Sequence, residues 1–86
     1  MITRDAARAL AMYDALRHGL GNTVLDVLLP VEIYGPFPMV YNVSLDNCWI
    51  AYVENSGQPA LRSSTIILVC RERGEIIYRG SAHDEG

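Results

Sequence analysis

The sequence predicts an α+β domain in which one N-terminal helix packs across a three- to five-stranded antiparallel sheet arranged as a meander. Three observations predict it. Residues 2–20 place apolar side chains at helical spacing, "STIILVC" is apolar on both faces as a central strand is, and "RERGEIIYRG" has the glycine-bearing charged turn of a hairpin. With 86 residues the chain has room for one small domain, 1–86, and contains no internal repeat, low-complexity tract or linker.

Taken in order, "ITRDAARALAMYDALRHGLG" predicts a helix over 4–18. A helical wheel gathers Ile2, Ala6, Ala9, Leu10, Tyr13, Leu16 and Leu20 on one broad stripe, with Arg4, Arg8, Ala11, Ala15 and His18 roughly opposite. The apolar stripe is therefore expected to face the sheet. Thr3 is placed to accept a backbone N–H as N-cap, and Asp5 suits the positive end of the dipole. Arg17 and His18 suit the negative end, with Gly19 or Gly21 as the left-handed stop.

"TVLDVLLPVEIYG" is rich in branched aliphatics but carries Pro30. It reads either as a strand at a sheet edge, broken at the proline, or as a short helix over 23–28. "YGPFP" at 34–38 is a rigid loop or a sharp change of direction. In "MVYNVSL", Tyr41, Val43 and Leu45 alternate with Val40, Asn42 and Ser44. Asp46-Asn47 supplies a turn, and "CWIAYVE" continues the alternation, which predicts a tight hairpin between these two segments. "NSGQPALRS" is a loop; "STIILVCRE" is the central strand; Gly74 can take the positive φ of a G1-type bulge before "EIIYRG" pairs back.

Composition narrows the function. The net charge is −3, the pI is about 5.1, and every basic residue is an arginine. No basic cluster exists to displace counterions from phosphates, so nucleic acid is not expected as a partner. No segment has the run of about 20 apolar residues that crosses a bilayer, and the N-terminus has acidic residues where a signal peptide is apolar. Half of the residues are hydrophobic, rich for so small a body, which suggests surface left for a homodimer or a protein partner. Cys48 and Cys70 fit neither a CxxC motif nor a zinc cage. They read as reduced, buried small hydrophobes, consistent with a cytoplasmic location.

No constellation of catalytic or metal-ligating residues stands out, and no cofactor is expected. His83, Asp84 and Glu85 are adjacent, so on an extended chain their side chains alternate and do not converge; they read as a solvated tail. His18 is explained by the helix dipole. The strongest nucleophile candidate is Cys48, and the carboxylate pairs are Asp46 with Glu54 and Glu72 with Glu75, all at strand ends or turns. Neither GxGxxG nor GxxxxGK[ST] occurs. The residues that a binding surface favours are Tyr34, Phe37, Met39, Trp49, Tyr52 and Arg79. Phe37, between two prolines, is displayed at low entropy cost, whereas Trp49 reads first as a core anchor beneath the helix.

"DNCWIAYVENSG" followed by "SSTIILVCRERGEIIYRGSA" resembles the small YrhB-like group, which includes immunity proteins of bacterial polymorphic toxin systems and a chaperone-like protein. The features that carry the resemblance are Trp49, the run Ile66 to Val69, Gly74-Glu75 and Gly80-Ser81-Ala82. It covers roughly the last 40 residues plus the helix. "LLPVEIYGPFPMVY" has no counterpart in that pattern. The resemblance implies a non-enzymatic bacterial protein that works by occluding a partner. Two other functional classes stand beside this one: a small-molecule binder with a pocket between helix and sheet lined by Tyr13, Trp49 and Tyr52, and a small enzyme using Cys48 or an acidic pair.

Overall fold

The computed structural model describes residues 1–19, 23–33, 39–40, 45–54, 65–81 and 83–84. Helix α1 is Arg4–Arg17, and the strands are β1 Thr23–Leu28, β2 Met39–Val40, β3 Cys48–Glu54, β4 Thr65–Cys70, β5 Ile76–Ser81 and β6 His83–Asp84. Four strands form an antiparallel sheet in the order β1-β3-β4-β5, and α1 lies across one of its faces. This is the expected α+β arrangement. No helix among the described residues is long and apolar enough to cross a membrane.

Local chemistry accounts for the element ends. The Ala6 N–H donates to Thr3 Oγ1 at 3.1 Å, which starts α1, and Gly19 at φ 65° ends it. Of the two readings left open for 23–28, the strand is the one adopted, at a sheet edge and ending before Pro30, which begins a 3-10 turn through Glu32. The Glu32 carboxylate accepts the Leu29 N–H at 2.8 Å and closes that turn. Gly74 has φ 71° in the β4–β5 turn. A Cβ there would stand 3.3 Å from Ile2 Cγ2, so both backbone conformation and space favour glycine.

Strand pairing differs from expectation in two places. The hairpin predicted between "MVYNVSL" and "CWIAYVE" does not form: β3 takes β1 and β4 as neighbours, while Met39–Val40 pairs in parallel with His83–Asp84 in a separate two-stranded sheet. Residues 41–44 lie outside the described residues, and Leu45–Asn47 is a 3-10 turn. The physical reason is the partner on offer. Antiparallel pairing with β1 places Val53 opposite Val24, Ala51 opposite Val27 and Ile50 opposite Leu28, apolar against apolar on both faces. The second difference concerns the tail: the backbone of residues 83 and 84 is paired with that of residues 39 and 40.

Each edge strand of the main sheet is bulged. Between Val24 and Asp26 the register to β3 skips Leu25, and between Ile76 and Tyr78 the register to β4 skips Ile77. Leu25 and Ile77 are exposed. The extra residue flips the alternation, so Ile76 packs on the helix-facing side and Tyr78 on the opposite side although they are two apart. Bulged edges also discourage edge-to-edge pairing with other chains. Beneath the helix the sheet presents Val24, Val27, Trp49, Ala51, Val53, Ile67 and Val69. Its other face is Cys48, Ile50, Tyr52, Ile66 and Leu68, against which Leu28, Ile33, Leu45 and Tyr78 pack.

The helix is turned the other way from its wheel. Ala7, Ala11, Asp14 and Ala15 are buried, a face of spacing i, i+4, i+7, i+8, while Leu10, Met12, Tyr13 and Leu16 are exposed. The expected stripe of Leu10, Tyr13 and Leu16 therefore points away from the core, and Leu20 lies outside the described residues. The sheet face already carries the bulk, in four valines, an isoleucine and an indole. Only small side chains from the helix let the layers close to interior density without overpacking. Ala11→Leu should therefore destabilise the fold by about 1–3 kcal/mol, whereas Leu16→Ala should change stability by no more than about 0.5 kcal/mol. Urea unfolding followed by Trp49 fluorescence measures both; comparable costs, or the reverse order, would overturn this packing.

Candidate functional site

Two polar clamps hold α1 on the sheet, one at each end. At the N-terminal end the Ile2 N–H donates to the Arg71 carbonyl at 2.8 Å, and Trp49 Nε1 donates to the Ile2 carbonyl at 3.2 Å. The Arg4 guanidinium lies 5.3 Å from the Trp49 ring centroid and that of Arg71 lies 6.0 Å from it, both within cation–π range. Arg4 Nη2 also donates to both carboxylate oxygens of Glu32. The Leu29 N–H, then Arg4, hold the Glu32 carboxyl below the usual glutamate range. Trp49 is thus the buried anchor beneath the helix that its residue type suggested, with its one donor satisfied.

At the C-terminal end stands Asp14, a carboxylate only 7% exposed on the alanine face. Arg79 on β5 grips it with two hydrogen bonds, Nε to Oδ2 at 2.8 Å and Nη2 to Oδ1 at 3.0 Å. That bidentate grip raises the Arg79 guanidinium above its ordinary value. His18 Nδ1 lies 2.9 Å from the Asp14 carbonyl and 3.4 Å from Oδ1, so the imidazole closes the last helical turn over the pair. Midway along α1, Arg8 Nη1 donates to the Val24 carbonyl at 2.9 Å, beside the β1 bulge.

With its alanines inward, the helix presents Met12, Tyr13 and Leu16 outward. Tyr13 is 61% and Leu16 59% exposed, and the Arg17 guanidinium lies 5.8 Å from the Tyr13 ring centroid. This exposed face, bordered by a cation, is the candidate binding surface.

Of the six residues expected to bind, the three whose side chains are described, Trp49, Tyr52 and Arg79, do not share one exposed surface. Tyr34 and Phe37 lie outside the described residues, and Met39 is in β2. Trp49 and Tyr52 are buried on opposite faces of β3. Arg79 is engaged by Asp14. The pocket expected from Tyr13, Trp49 and Tyr52 is not built: Tyr13 faces away from the sheet, and the other two are separated by the sheet itself. Cys48 is fully buried, and burial, then the neighbouring Cys70, push its thiol above the ordinary value. A nucleophilic cysteine needs the reverse, an accessible and easily ionised thiol. Asp46, Glu72 and Glu75 are exposed at turns. Among the described residues no group of three or more His, Cys, Asp or Glu could hold a metal ion.

Asp14 and the outward apolar face are the features that sequence reasoning missed. A signal for both was present in the alanines at 7, 11 and 15, whose spacing marks a face suited to close approach. Asp14 lies on that same face and Leu16 opposite it. No family model, curated protein or solved structure matches this chain.

The clamp at Asp14 and Arg79 is asymmetric, because one partner is buried and the other is partly exposed. Arg79→Ala strands a desolvated carboxylate and should lower the urea midpoint; Asp14→Ala, which leaves a guanidinium able to re-solvate, should lower it less. The double variant should be less destabilised than the sum of the two. Urea midpoints of the four proteins decide it, and strict additivity would show that the pair contributes no coupling.

Proposed function

We propose that this chain is a non-enzymatic protein-binding module of the bacterial cytoplasm, immunity-like or chaperone-like, that occludes a protein partner with the outer face of α1. One observation carries the reading: the helix spends its small residues on the sheet and leaves Met12, Tyr13 and Leu16 exposed. In a small domain with a thin stability margin, large apolar side chains turned to water gain nothing for the fold. Covering them gains on association. Tyr and Arg at the same face are the residue types that dominate interface energetics. The partner is a protein, a second copy of this chain being the simplest case. The resemblance, which covers roughly the last 40 residues plus the helix, adds a partner-occluding role.

The double variant Tyr13→Glu/Leu16→Glu tests this reading, since both positions are exposed and glutamate is a good helix former. Light scattering and affinity capture on wild type and variant are the measurements. The wild type should self-associate or hold a specific protein, and the variant should be a monomer that holds none, with its circular dichroism unchanged. A wild type that is monomeric and captures no protein contradicts the proposal. So does a complex that survives the two charges.

A further inference from the structure

Cys48 and Cys70, remote in sequence, stand directly opposite one another on β3 and β4. Their register is of a particular kind. In an antiparallel ladder, pairs that exchange hydrogen bonds alternate with pairs that do not. The Arg71 N–H donates to the Asn47 carbonyl at 2.9 Å, so the adjacent position, Asn47 opposite Arg71, is a bonded one. The Cys70 N–H turns away from β3 and donates to the Glu75 carbonyl at 2.8 Å. Cys48 and Cys70 therefore form a non-hydrogen-bonded pair, the type in which the Cα atoms approach to about 4.5 Å and the side chains are closest. A disulfide spans Cα separations of about 4.4–6.8 Å. Residues opposite one another project from the same face, here the one carrying Ile50 and Leu68. Neither cysteine is in a disulfide in the structure.

We propose that Cys48 and Cys70 are a redox-active dithiol that closes reversibly to a cross-strand disulfide, with a small-molecule disulfide as oxidant. The two thiols differ in access: Cys48 is fully buried and Cys70 is partly exposed. Cys70 is the entry thiol. Its thiolate attacks one sulfur of the oxidant, forming a mixed disulfide and expelling one small thiolate, which takes up the proton that Cys70 lost. Cys48, after losing its own proton, attacks the Cys70 sulfur of that mixed disulfide; the internal S–S bond forms and the second small thiolate leaves and is protonated. Two protein thiols are oxidised, one small disulfide is reduced to two thiols, and atoms and electrons balance. Burial, then the nearby Cys70, disfavour the Cys48 thiolate, so Cys48 is not the entry thiol and its attack is the slower step. What directs that step is the strand register, which holds Cys48 directly opposite the Cys70 sulfur it attacks. The closed bond ties the first residue of β3 to the last of β4.

The test is oxidation of the folded chain in buffers of graded reduced and oxidised glutathione, quenched by alkylation and read by intact mass and peptide mapping. Wild type should lose both alkylatable thiols together as the buffer becomes oxidising, with a mapped Cys48–Cys70 link in a monomer that retains its circular dichroism. Cys48→Ala should stop at a glutathione mixed disulfide on Cys70, and Cys70→Ala should stay unmodified while folded. The proposal is overturned if wild type accumulates the mixed disulfide or an intermolecular dimer. It is equally overturned if both thiols stay alkylatable in the most oxidising buffer, or if the internal bond forms only in added urea.

Discussion

The contact between the alanine face of α1 and the sheet is the constraint on which the other features depend. A helix that docks through Ala7, Ala11 and Ala15 sits low on its sheet, and its large apolar residues are left outside. The same geometry brings Asp14 down to the level of β5, where a carboxylate is tolerated only because Arg79 meets it with a bidentate grip. It also lets the chain entering the helix cover Trp49, whose N–H finds the Ile2 carbonyl. A helix standing higher would reach neither partner.

An alanine face brings two layers close but specifies little about their relative orientation, because small side chains have few shapes to interlock. The polar contacts supply that specification. Trp49 with Ile2, Arg4 and Arg71 fixes one end of the helix, Asp14 with Arg79 and His18 fixes the other, and Arg8 ties the middle to β1. Hydrogen-bonded and ion-paired polar groups at such positions select one arrangement among several of similar apolar burial. The division of labour places apolar burial mainly in the two faces of β3 and β4, and orientation in the clamps.

Much of this architecture was legible in the residues, and the failures share one cause. The limits of α1, the central position of β4, the turn at Gly74 and the break at Pro30 follow from local chemistry, which short stretches carry in full. The facing of α1 does not, because the wheel weighed Leu16 and Tyr13 above Ala7 and Ala11 on hydrophobicity alone. Facing is set by the volume the sheet leaves free, and that depends on Val27, Trp49 and Ile67 elsewhere in the chain. Alternation in "MVYNVSL" likewise reports that a segment can be a strand, not which strand it joins. β3 pairs with β1 across an intervening segment, and β2 with the far end of the chain. The opposition of Cys48 and Cys70 was hidden for the same reason, since register across the 55–64 connection is a tertiary fact. The candidate surface on α1 became visible only once the facing was known.

The functional reading and the packing account thus rest on the same rotation of one helix about its axis. Nuclear Overhauser effects in the folded protein report that rotation directly. The account predicts cross-peaks from the Ala7, Ala11 and Ala15 methyls to the core side chains of Val24, Val27, Trp49, Ala51, Val53, Ile67 and Val69, and none from Tyr13 or Leu16 to the sheet. Cross-peaks from Tyr13 and Leu16 to those sheet residues, with the alanine methyls silent, would contradict it.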